Sequence, residues 1–113
     1  MNPGDPQPSA AGAPTNNLFH GSAPATGEQF DVVARFGPTT IERILSSPEP
    51  GTTIYVQAHD EWVVLLRGGA ELEVDGTRVT LGPGDHLALP AGTPHRVLST
   101  QANTLWLAVH VQR

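Results

Sequence analysis

Glycine and proline recur so often in this chain that they decide its fold class before any other feature is considered. Twelve glycines and eleven prolines stand among 113 residues. Glycine brings backbone freedom and proline removes an N–H donor, so both interrupt regular elements and leave only short pieces between them. From Thr39 onward these pieces read as strands. TTIERILS comes first, then the break SSPEPG, then TIYVQA, EWVVLLR and GAELEVD. The pair Asp75-Gly76 marks a tight hairpin, and TRVTL, DHLAL, HRVLST and TLWLAVHV follow it, separated by GPG and PAGTP. About eight short strands at this spacing predict an all-β sandwich or barrel.

Within the strands the patterns differ. GAELEVD alternates Ala70, Leu72 and Val74 with Glu71, Glu73 and Asp75, which predicts one buried and one wet face. EWVVLLR is apolar on both faces and is expected deep in the assembly, so Glu61 at its start needs a partner. Upstream, EQFDVVARF (Glu28 to Phe36) places Phe30, Val33 and Ala34 at helical spacing and predicts one short N-terminal helix ended by Gly37-Pro38. Residues 1–16 are proline, alanine, glycine and small polar residues with no apolar face, and are expected to be a disordered tail. Leu18 and Phe19 are the first anchors, able to pack an arm onto the domain or onto a partner subunit, and the domain is expected to span 17–113.

Composition removes several function classes. All six basic residues are arginine, and eleven acids give a net charge of −5. A chain with no basic patch has little to hold a phosphate backbone, so no nucleic-acid partner is expected. No apolar run reaches membrane-span length and no signal-peptide pattern opens the chain, so no membrane partner and a cytoplasmic location are expected. The lack of cysteine excludes disulfides and thiolate ligands. No G-x-S-x-G, phosphate loop or H-E-x-x-H is present.

GDHLALPAGTPHRVLS carries Gly84, Pro90, Gly92 and His95 at the spacing G-x5-P-x-G-x2-H. This resembles the second conserved motif of the cupin superfamily, with Ser99 near the place where that motif usually ends in Asn. The first cupin motif has two histidines two apart, then a Glu, and a Gly seven after the Glu. Glu61 and Gly68 match its second half, whereas Tyr55 and Gln57 occupy the histidine positions. The resemblance covers about residues 17–113 and is closest to small single-domain bacterial cupins with Y-x-Q…DEW in place of the histidine pair. It implies a cupin-type double-stranded β-helix, a jelly-roll barrel, which together with the short helix above is the expected architecture. It also implies a small-molecule ligand in the barrel and a homodimer.

By that resemblance His95 occupies a metal-ligand position, its other ring nitrogen being held by a neighbouring group. Glu61 is an anionic ligand or a catalytic base. Its bland alternative is a carboxylate tied to Arg43 or a tyrosine. Gln57 offers an amide oxygen, a weak ligand that is equally suited to hydrogen bonding. His59 alternates with Glu61 on a strict strand, but stands in a turn if the chain bends there, so both readings stay open. With Glu61 and His95 it would complete a two-histidine, one-carboxylate set suited to zinc, manganese or iron; no organic cofactor is expected. Tyr55, His110 and Arg43 are read as pocket residues, Arg43 because Ile41 and Leu45 flank it on one strand face. Two functions follow: a metal-dependent reaction on a small organic acid or sugar-like molecule, or metal-free binding of a small molecule without turnover. The fold by itself does not choose between them.

Overall fold

The computed structural model describes residues 16–113. The tail expected over 1–16 lies, Asn16 apart, outside the described residues. Eight strands are present: β1 (Glu28–Phe36), β2 (Thr39–Ser46), β3 (Asp60–Arg67), β4 (Ala70–Val74), β5 (Thr77–Leu81), β6 (His86–Leu89), β7 (His95–Thr100) and β8 (Thr104–Val111). They form a five-stranded sheet in the order β1-β2-β8-β3-β6 and a three-stranded sheet in the order β5-β4-β7. Every neighbouring pair is antiparallel. Strand neighbours far apart in sequence, such as β2 with β8, are what closes a jelly roll. No helix among the described residues is long and apolar enough to cross a membrane.

The core lies between the two sheets. Val63, Leu65 and Trp106 from the larger sheet meet Leu72 and Leu81 from the smaller one, with Ala70, Leu89 and Ala108 completing the cluster. On β4 the predicted alternation holds, with Ala70 and Leu72 buried and Glu71 and Glu73 partly exposed. On β3 only one face is core: Val63 and Leu65 are buried, while Trp62 reaches solvent beside His86.

The expected N-terminal helix is not formed; EQFDVVARF is β1. The reason is a β-bulge. Val32 pairs with Glu42 and Ala34 with Ile41, leaving Val33 without an opposite residue. An extra residue breaks the two-residue alternation. The apolar residues then fall at spacings that mimic a helix, although β-branched Val32 and Val33 favour a strand. Gly37-Pro38 turns the chain between Phe36 and Thr39 rather than ending a helix. The TIYVQA strand is also reduced, to an extended segment joined to β7 by one bridge between Tyr55 and His95.

Asp75 and Gly76 both have positive φ, 49° and 82°, and close a two-residue hairpin between Val74 and Thr77, as the pair predicts. Gly68 is the more demanding position. Its φ is +91°, and an added Cβ would stand 2.4 Å from Thr104 Oγ1 and 2.9 Å from Thr104 Cα. Thr104 is fully buried and its hydroxyl donates to the Gln101 carbonyl at 2.8 Å, so it has no room to withdraw. Gly68→Ala is expected to destabilise the fold by about 2–4 kcal/mol, combining backbone strain with overpacking. A urea melt in which this variant matches wild type would show that the β3–β8 approach is looser than described.

Candidate functional site

A cavity of about 80 Å³ opens between the sheets, with side chains from both forming its wall. β1 supplies Glu28 and Phe30, β2 Glu42, β3 Glu61, β7 His95 and β8 Trp106 and His110, and the 54–57 segment adds Tyr55 and Gln57. Most of the remaining wall is aliphatic. An outer depression shares Phe30, Glu42, Tyr55, Gln57 and His110 with it, and His59 lines only this outer part.

Backbone pairing sets these positions. Tyr55 N donates to His95 O at 2.8 Å and His95 N to Tyr55 O at 3.0 Å. Gly92 N donates to Gln57 O at 2.8 Å, and Thr93 N to Pro90 O at 3.1 Å closes the turn that delivers His95. Along 54–57 Ile54 and Val56 are exposed while Tyr55 and Gln57 line the cavity, the ordinary alternation of an extended chain. The Tyr55 and His95 rings stack at 5.7 Å.

Glu61 and His95 stand together, with His95 Nε2 3.7 Å from Glu61 Oε1 and each residue only 9% exposed. His95 Nδ1 lies 3.0 Å from the Thr93 carbonyl oxygen. A carbonyl only accepts, so Nδ1 carries the proton, and in the neutral ring Nε2 is a bare acceptor facing the cavity. Among the described residues nothing donates a hydrogen bond to the Glu61 carboxylate. At 3.7 Å the two groups stand too far apart to share a hydrogen bond.

A second group lies beside Glu61 on the larger sheet, where His110 is its register partner on β8. His110 Nε2 donates to Glu42 Oε1 at 3.1 Å, and His110 Nδ1 is 2.9 Å from His59 Nε2. The Glu42 hydrogen bond raises the His110 pKa above its ordinary value, against the opposing effect of burial. Glu28 accepts from the Ser46 hydroxyl, and Ser46 Oγ accepts from the Trp106 indole N–H at 3.1 Å. Burial is the main cause that raises the pKa of Glu28, and of Glu61 also, where the nearby imidazoles pull it partly back. Burial and the three surrounding carboxylates likewise raise that of Tyr55.

Of the residues singled out from sequence, Tyr55, Gln57, Glu61, His95 and His110 line the cavity. His59 does not join Glu61 and His95. The chain bends at Ala58-His59, and the imidazole bonds to His110 instead. Arg43 is corrected outright. It projects to the far face of the larger sheet, where it pairs with Asp31 at 2.7 Å and donates to the carbonyls of Leu18 and His20. Leu18–His20 thus tie the N-terminal arm onto this domain. The flanking Ile41 and Leu45 share Arg43's outer face, and the alternate residues Glu42 and Ile44 face inward. Glu28, Phe30 and Glu42 were missed as site residues. A helix reading hid the first two, and the Ile41–Leu45 apolar pair pointed to the wrong face of β2.

The expected metal set is not assembled. Among the described residues no group of three or more His, Asp or Glu side chains is gathered to hold a metal ion. Glu61 and His95 offer two donors, and Gln57 only a neutral amide.

Comparison with known proteins bears on this site. A model of the cupin domain matches residues 46–110, more than half of the chain. A Ralstonia eutropha JMP134 protein, provisionally described as a mannose-6-phosphate isomerase, is 38% identical in sequence. Its match covers 86% of this chain and 96% of that one with a TM-score of 0.75. KdgF from Halomonas sp. is 22% identical over 86% of this chain and 90% of its own, with a TM-score of 0.74. A cupin superfamily protein from Desulfitobacterium hafniense DCB-2 is 17% identical over 97% and 96%, TM-score 0.75. The last two likenesses concern the fold alone. No curated protein matches the sequence.

The raised pKa of Glu61 has a stability consequence with a definite sign. The folded state holds this proton more tightly than the unfolded chain, so stability is full below the ordinary value of 4.5 and falls as pH rises through the folded value. Glu61→Gln removes that ionisation. It is expected to be more stable than wild type near neutral pH, with the gain vanishing in urea melts below pH 4.5. A variant destabilised at neutral pH would show that the ionised carboxylate is well partnered in the fold.

Proposed function

Because the chain belongs to the cupin domain family, we propose that it is a small-molecule-binding cupin whose barrel works through Glu61 and His95 without a resident divalent metal. One observation carries this reading: the two buried acceptors face the cavity 3.7 Å apart, while the imidazole needed to complete a metal set is bonded to His110. A small apolar cavity with a few convergent polar groups is the usual form of a small-molecule site. Glu61, held towards its protonated form by burial, is the group suited to accept or return a proton on a bound molecule. His95, locked by Thr93, is suited to orient that molecule through Nε2.

Metal content decides between this reading and a metal-dependent one. Protein purified without a histidine tag is expected to carry well under one equivalent of zinc, manganese or iron, unchanged by adding metal back. Stoichiometric metal in wild type that is lost in both Glu61→Gln and His95→Ala would overturn the proposal.

A homodimer belongs to the same reading. β1 is an edge strand, and Phe30, Val32 and Phe36 along it are each about half exposed. Such an apolar edge is ordinarily covered, and a second copy is the simplest cover. Light scattering is expected to return twice the chain mass; a monomer at high concentration would remove this part of the proposal.

A further inference from the structure

The charge and hydrogen-bonding character of the cavity point to a ligand class. Three carboxylates, Glu28, Glu42 and Glu61, line it from three different strands. No arginine lines it, and the chain has no lysine. Every arginine is placed elsewhere: Arg43 on Asp31, Arg78 on Glu71, Arg96 on Glu73, Arg113 on Asp60, Arg67 over the Phe19 ring, and Arg35 exposed on β1. An anionic ligand would therefore meet these carboxylates with no arginine or lysine beside them, and His110, whose pKa is raised, is already committed to Glu42.

Carboxylates alone would say little about a ligand. The second observation is Glu61 itself, nine-tenths buried, aimed into the cavity and without a hydrogen-bond donor among the described residues. Beside it the His95 Nε2 lone pair also lacks a donor. Two acceptors that no protein group supplies with a hydrogen bond, and that open onto the cavity side by side, define a place for a group with at least two N–H bonds. Around that place stand Phe30, Tyr55 and Trp106 with the aliphatic wall; aromatic faces favour a cation and the aliphatic side chains favour an apolar body.

We propose that this barrel selects a small organic cation, an amine with a compact apolar body, whose ammonium group donates to both Glu61 and His95. The proposal rests on the small-molecule reading above and narrows it. It disfavours a phosphorylated sugar of the kind named for the Ralstonia protein, because no arginine or lysine lines the cavity and His110 is already bonded to Glu42. A bound ammonium favours the ionised form of Glu61, which burial disfavours in the free cavity.

A matched series tests this: benzylamine, benzyl alcohol and benzoate, similar in shape and differing in charge, titrated calorimetrically into wild-type protein at neutral pH. Benzylamine is expected to bind at least about tenfold more tightly than benzyl alcohol, since a charge-assisted hydrogen bond exceeds a neutral one by that much. Benzoate is expected not to bind. Glu61→Gln is expected to bring benzylamine down to the level of benzyl alcohol; if that variant does not fold, the wild-type series decides alone. Equal binding of all three, or preference for benzoate, overturns the cation selectivity and leaves the small-molecule pocket standing. Binding of none by folded protein overturns both.

Discussion

Two backbone hydrogen bonds between Tyr55 and His95 join the cavity wall of the smaller sheet to the 54–57 segment. They hold a segment that belongs to neither sheet against β7, and they fix its register there. With the register set, alternation turns Tyr55 and Gln57 inward and leaves Ile54 and Val56 outside. β7 is itself registered against β4, with His95 opposite Val74. The imidazole therefore enters from the smaller sheet to meet Glu61 from the larger one. Side-chain contacts alone would leave this pair free to drift; backbone pairing on His95 and the Thr93 bond to its ring do not.

The site so formed works against the fold that carries it. Glu61 and Glu28 are buried carboxyls whose ionisation is disfavoured, and the His95 lone pair has no donor. The apolar cluster between the sheets, with Leu65 and Ala108 fully buried, provides stability that the site does not. Polar groups elsewhere in the barrel are treated differently. Ser46 links the Trp106 indole to Glu28, and Thr104 bonds to Gln101 in the close approach of Gly68. Well-bonded polar residues around the core thus contrast with the Glu61 and His95 acceptors, which no protein group supplies with a hydrogen bond.

Much of the strand framework could be read from local chemistry. β2, β5 and β8 begin and end where expected, the first two because glycine, proline and Asp-Gly turns bound them and β8 because Asn103, with a positive φ, turns the chain into it. Gly68, Gly84 and Gly92, the motif glycines, all have positive φ. β1 could not be read, because one bulged residue changes the spacing of its side chains and leaves no mark in composition. Arg43 misled for a related reason. Both faces of β2 carry apolar residues, and the outer face is covered by the arm whose carbonyls Arg43 binds.

Sequence by itself determined the all-β class, most strand limits, the cupin motifs and the expectation that Glu61 and His95 face one pocket. Each of these depends on neighbours in the chain: turn residues, alternation and motif spacing. Tertiary structure alone decided that Glu42 and Glu28 join the site, that His59 bonds to His110 across 51 positions of sequence, and that Arg43 leaves it. Those outcomes depend on strand register and on which face of a sheet meets the other, and neither is set by residues adjacent in the chain.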